Sequence, residues 1–163
     1  IVMGLNQGMQ PIAGYNFGAR EFQRVDRVLK LTIFCATAIM TLGFLVAELF
    51  PRQLVMIFTT DEELIQHSIS GMRIVFMMFP IIGFQMVTSN FFQSVGMAGK
   101  AIFLSLTRQL LFLLPCLLLL PDFFQTNGIW MSMPVADALS SIVSFFMLYS
   151  QIRKFKTAEQ YGN

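Results

Sequence analysis

The residues with most to explain are the few polar ones that interrupt long apolar runs. Asp137 stands nine positions after Gly128, in a stretch that stays largely apolar to Ile152. If that stretch is a helix crossing lipid, a rise of 1.5 Å per residue carries the carboxylate about 14 Å into a hydrocarbon layer roughly 30 Å thick, near its midplane. An ionisable group at that depth is costly unless a cavity or a partner receives it. Met133, Ser140, Ser141 and Ser144 recur around Asp137 at helical spacing. Such a stripe suits two chemistries: the wall of a water-filled path that binds a cation or proton, or a hydrogen-bonded seam between helices. Arg108 falls in the first third of another apolar run, where its long side chain either snorkels to the near headgroups or sets the potential of a cavity. Gln85, Ser89 and Gln93 follow one another at i+4 steps, with Thr88 and Asn90 alongside. That polar face on a Phe- and Met-rich segment turns inward, and its neutral groups either hold a ligand or join helices.

The elements that must position these groups follow from composition. Only 12% of the 163 residues are charged and 55% are hydrophobic, with a mean hydropathy of +0.65, whereas soluble domains carry roughly a quarter charged residues. The apolar runs are continuous and lack the apolar/polar alternation of membrane β-strands. The expected fold is therefore all-α, a polytopic membrane helix bundle. Residues 1–19 read as the end of one transmembrane helix in a chain truncated at its start. Four further helices are expected at about 28–50, 74–95, 101–120 and 128–152, since a span needs about 20 apolar residues.

Local signals mark the joints. Pro51 cannot continue a helix for want of an N–H. The stretch from Pro51 to Gly71 reads as a loop with a short interfacial helix, N-capped by Thr60 with Glu63 in its first turn. Pro80 lies inside the third span and predicts a kink, tolerated where neighbouring helices satisfy the freed carbonyl. Gly96 to Lys100 forms a turn too short to house a domain, and Pro121-Asp122 closes the fourth span.

Cations set the orientation, because Lys and Arg are retained on the cytoplasmic side of short loops. Arg20, Arg24, Arg27, Lys30, Lys100, Arg108, Arg153, Lys154 and Lys156 fall at one set of helix ends, and only Arg52 and Arg73 at the other, with Asp61, Glu62, Glu63 and Asp122. The C-terminus is thus expected in the cytoplasm of a multi-pass protein of the bacterial inner membrane. Glu48, beside Pro51 and Arg52, reads as an interfacial acid. His67 is alone, outside the spans, and reads as a surface histidine. Cys35 and Cys116 sit inside apolar runs, where a thiol behaves as a small hydrophobe. No phosphate loop, nucleophile elbow or metal motif occurs, so neither an enzyme nor a cofactor is expected, and nucleic acid is no partner.

Several segments carry a family resemblance. Gln7 to Ala19 (QGMQPIAGYNFGA), followed by a basic loop, resembles the end of the eighth helix of bacterial multidrug and toxic compound extrusion (MATE) transporters. Phe91 to Gly99 (FFQSVGMAG), then Arg108-Gln109 and Pro115, is similar to the tenth and eleventh helices. Gly128-Ile129-Trp130 with Pro134-Val135-Ala136-Asp137 resembles the start of the twelfth. The resemblance implies a C-terminal lobe from the end of helix eight through helix twelve, without the N-terminal lobe that would be its partner. It further implies alternating-access efflux of cationic drugs against entering Na⁺ or H⁺. One branch of the family places a coupling aspartate in the tenth helix, where the neighbourhood Gly83 to Thr88 offers Gln85 and no acid. Coupling then rests on acids elsewhere, with Asp137 the only deep one here. The cavity candidates are Asp137, Gln85, Ser89, Asn90, Gln93 and Arg108. Two other outcomes stay open: a lipid-linked oligosaccharide flippase of the same superfamily, which would want a more strongly cationic cavity, and an inactive truncated remnant.

Overall fold

The computed structural model describes residues 1–160, without the side chains of Thr126, Lys156 and residues 158–160, so the expectation for the Lys156 charge lies outside the described part. Among the described residues every regular element is helical: α1 Val2–Gly18, α2 Phe22–Leu49, α3 Pro51–Met56, α4 Glu62–Phe76, α5 Phe79–Ser94, α6 Ala98–Leu106, a π-helical turn Thr107–Leu113, and α7 Leu114–Gln160. α7 is two limbs, because Gln125 has non-helical dihedrals (φ 51°, ψ −132°). Three helical stretches are long and apolar enough to cross a membrane, Phe22–Leu49, Ala98–Gln125 and Asn127–Phe155, and the bent pair α4 and α5 makes a fourth.

Polarity in this bundle is arranged for an apolar solvent. Phe34, Leu42, Leu110, Leu118, Ile142 and Phe146 are exposed, while Thr32, Gln85, Thr88, Ser132, Asp137 and Ser144 are buried. A water-soluble bundle rarely shows so extensive an apolar exterior; lipid makes it free of cost and places the polar groups where helices can satisfy them.

Small residues set the helix spacing. A Cβ on Gly83 of α5 would stand 3.0 Å from the Ala36 carbonyl oxygen of α2, and one on Gly14 of α1 would stand 2.9 Å from the Ser94 carbonyl oxygen of α5. These approaches let α5 sit between α1 and α2, with Val25, Leu29 and Ala36 packed with Val87 and Phe91 in the core. At one end of the bundle Phe155 stacks on Phe22 at 5.2 Å and meets Phe17 and Phe91 at 5.6 and 6.4 Å. This aromatic knot ties the α1–α2 turn and the ends of α5 and α7 together, so the cations beside them share one end. Lys100 adds to it by donating to the Gln151 side chain and lying over the Phe92 ring.

Several boundaries differ from expectation for identifiable reasons. Phe50 breaks the helix (φ −126°, ψ 45°) and Pro51 opens α3 as its first residue, where a missing N–H is harmless. The segment after it holds a fifteen-residue helix, α4, capped by Asp61 and not Thr60. Asp61 Oδ1 accepts from the backbone N–H of Glu63 and Leu64 at 3.0 and 3.3 Å, and a carboxylate beats a hydroxyl at the positive end of a helix. Pro80 sits at the start of α5, so the expected kink is a full break with a 48° bend between α4 and α5. Pro121 does not end the fourth span; the helix runs to Gln125 before reversing. The return is tight enough that a Cβ on Gly128 would lie 2.3 Å from the Leu120 carbonyl oxygen.

Candidate functional site

The buried polar groups gather where α5, the π-turn and the second limb of α7 meet. Arg108 Nε donates to Asp137 Oδ1 at 2.6 Å, with the Asp137 side chain 5% exposed and that of Arg108 40% exposed. The pair bridges residues from two spans. One helical turn further along, Gln85 Nε2 donates to Ser140 Oγ at 2.5 Å, and Ser140 Oγ donates in turn to the Asp137 carbonyl at 3.2 Å. Ser141 and Ser144 turn back onto the carbonyls four residues earlier, a habit that satisfies a hydroxyl within its own helix. Carboxylate, guanidinium, amide and hydroxyl thus form one connected set in a low-dielectric interior, where each bond is stronger than in water.

The π-turn gives Arg108 its place. A residue that adds a carbonyl's width to the helix rotates everything beyond it, and such turns recur at functional sites. Pro115 follows the π-turn immediately after Leu114; lacking an N–H and crowding the carbonyl four residues back, it favours this local rewinding.

A cavity of about 180 Å³ opens beside the pair, lined by Gln85, Met86, Ser89, Asn90, Leu104, Ser105 and Arg108. Its lining holds no carboxylate, because Asp137 lies beneath Arg108. Asn90 Nδ2 donates to the Met86 carbonyl at 2.8 Å, and Gln10 Nε2 of α1 donates to Asn90 Oδ1 at 3.4 Å. Ser89 Oγ reaches the Ala101 carbonyl at 3.5 Å. Of the six residues singled out from the sequence, four line this cavity, Asp137 anchors it, and Gln93 is exposed away from it. Met133 is likewise exposed, although it shares a helical repeat with Asp137. The sequence reading missed Ser105, three residues before Arg108 and on the same helical face, as well as Gln10. Two larger hollows, of about 540 and 770 Å³, are lined almost wholly by apolar side chains. Glu48 pairs with Arg73 at 3.3 Å beside the first of these, both side chains about half exposed. Among the described residues, no three His, Cys, Asp or Glu side chains are grouped so as to hold a metal ion.

Against known proteins, the MatE family model matches residues 1–118. The chain belongs to the MatE family. It is similar to the multidrug export protein MepA of Staphylococcus haemolyticus, at 21% identity over 150 residues covering 92% of this chain and 33% of that protein. Among solved structures, it superimposes on the MATE multidrug transporter DinF-BH in complex with rhodamine 6G with a TM-score of 0.86 and 41% identity, over 91% of this chain and 33% of that one. An inward-facing and an outward-facing multidrug resistance MATE transporter of the MOP superfamily give TM-scores of 0.88 and 0.87 at 21% identity, covering 96% of this MatE chain and 37% and 36% of theirs, and so share its fold. The MatE chain spans about a third of the length of the relatives it matches.

Proposed function

We propose that this chain works as one lobe of a secondary exporter that moves cationic drugs out across the bacterial cytoplasmic membrane in exchange for entering Na⁺ or H⁺. The observation that carries the reading is a connected polar seam and cavity, built from α5, the π-turn and α7, inside a fold 41% identical to a MATE multidrug transporter structure. A site that spans two elements changes shape when those elements move, which is what alternating access requires of it. Asp137 is the coupling carboxylate, and an entering cation competes with Arg108 for it. A second lobe of the same transporter completes the drug path. The cluster of cations at one end of the bundle supports a cytoplasmic C-terminus.

The test uses the full-length gene product that carries this sequence, expressed in efflux-deficient bacteria. Ethidium and rhodamine 6G accumulation should fall, and dissipating the proton or Na⁺ gradient should restore it. Asp137→Asn should weaken that ion dependence. A full-length protein that lowers the accumulation of neither dye refutes the exporter reading; unchanged efflux and ion dependence in Asp137→Asn removes Asp137 from coupling.

A further inference from the structure

The cavity beside Arg108 has a polarity of its own, separate from the charge balance of the ion pair beneath it. Asp137 and Arg108 cancel in sum, but they are not equally reachable: the carboxylate is 5% exposed and the guanidinium 40% exposed. Arg108 offers five N–H donors in a planar fork, and its bond to Asp137 runs through Nε. The two terminal nitrogens belong to the part of the side chain that lines the cavity. Gln85 and Asn90 direct amide N–H groups to Ser140 and to the Met86 carbonyl, so their donors are engaged. Ser105, exposed and on the same wall, adds a hydroxyl. No carboxylate lines this hollow, and a Na⁺ ion entering it would face a guanidinium.

We infer that this cavity is a subsite for a carboxylate borne by the transported molecule, held on the outer edge of the Arg108 fork with Ser105 as a second donor. The ligand class is an amphiphile with a delocalised cation at one end and a carboxylate at the other. A volume of about 180 Å³ is below the roughly 300 Å³ at which pockets hold a whole drug-sized ligand, so the cavity receives the acid group and its ring while the rest lies in the wider path. Bidentate pairing of a guanidinium with a carboxylate is strong and directional in a dry site. The buried Asp137 holds the fork in place, so little rotamer freedom is lost when the ligand arrives. The subsite deepens the exporter reading and rests on it for the identity of the ligand, although its binding chemistry can be measured alone.

The experiment compares rhodamine 6G, an ester, with its free acid, which carries the same cationic fluorophore and a carboxylate. Binding to the purified full-length transporter is read by fluorescence polarisation. Wild type should bind the acid more tightly than the ester. Arg108→Gln combined with Asp137→Asn removes both charges together and avoids stranding either; it should raise the acid-to-ester ratio of Kd values about tenfold or more, as loss of a charge-assisted pair does. Arg108→Lys should keep part of the preference. Ser105→Glu, at an exposed position, places a negative charge in the cavity and should raise the same ratio, so the idea stays testable even if the double variant does not fold. A wild-type preference for the ester, or a ratio that neither the double variant nor Ser105→Glu moves, overturns the subsite. Failure of the transporter reading shows separately, as absence of ester export from cells while acid-selective binding to the purified protein persists.

Discussion

The ion pair between Arg108 and Asp137 predicts an asymmetry that mutation can expose. Asp137 is almost fully buried, whereas Arg108 keeps 40% of its side chain exposed. Removing Arg108 strands a carboxylate with 5% exposure; breaking a buried pair this way costs about 3–5 kcal/mol, reduced here because Asp137 can take up a proton. We expect about 3 kcal/mol for Arg108→Ala. Asp137→Asn leaves a guanidinium that reaches solvent or the cavity, and the new amide oxygen can still accept from Nε. Its cost should be about 1 kcal/mol. In the double variant the stranded charge is gone, so the loss should fall to about 2 kcal/mol, short of the additive sum of about 4, giving a coupling of about 2 kcal/mol. The measurement is dodecyl sulfate unfolding of the purified full-length protein, followed by tryptophan fluorescence. Equal losses for the two single variants, or strictly additive losses in the double, would refute the burial argument.

Other consequences concern spacing and surface charge. Gly83→Ala pushes a methyl to 3.0 Å from the Ala36 carbonyl oxygen and should cost about 1–3 kcal/mol, the usual penalty of overpacking, with Gly83→Leu abolishing a monodisperse peak in size-exclusion chromatography. Gly128→Ala, whose methyl would lie 2.3 Å from the Leu120 carbonyl oxygen, should force the α7 return open and lower the yield of folded protein in detergent more than Gly83→Ala does. Arg73→Ala breaks a pair with Glu48 in which both partners are about half exposed; it should change stability by under about 1 kcal/mol in the same unfolding assay. Asp61→Ala should remove the α4 cap and cost about 1 kcal/mol, with Asp61→Ser recovering most of it.

How much of this was legible beforehand depends on the range of each interaction. Helix existence follows from continuous apolar runs, a local property, and so does the polar repeat Gln85, Ser89. Boundaries failed where two local signals competed. Thr60 and Asp61 are both acceptable caps, and only the backbone path decides which one faces the N–H groups of Glu63 and Leu64. Pro80 and Pro121 carry the same local prohibition, yet one stands at a break and the other lies within a helix. The difference arises because Pro80 occupies the first turn of α5, while the reversal after Pro121 waits for Gln125 and the close pass of Gly128 over Leu120. Gln93 was misplaced because a strict i+4 series drifts around a helix of 3.6 residues per turn, and by the third step it has left the inward face.

The contact between Arg108 and Asp137 belongs to a different range. Twenty-nine residues and a chain reversal separate them, and their meeting depends on three features, none of which names its partner in the sequence: the π-turn that rotates Arg108 inward, the Gly128 return that sets the depth of the second limb, and the Gln85–Ser140 bond that fixes its rotation against α5. Each holds one degree of freedom of the α7 limb. If any is lost, the others no longer position the guanidinium over the carboxylate, so weakening Gln85 or Ser140 should loosen the ion pair without touching it. Gln85→Leu should therefore reduce the Arg108–Asp137 coupling from about 2 kcal/mol toward zero, while Gln85→Asn, which shortens the reach by one methylene, should fall between.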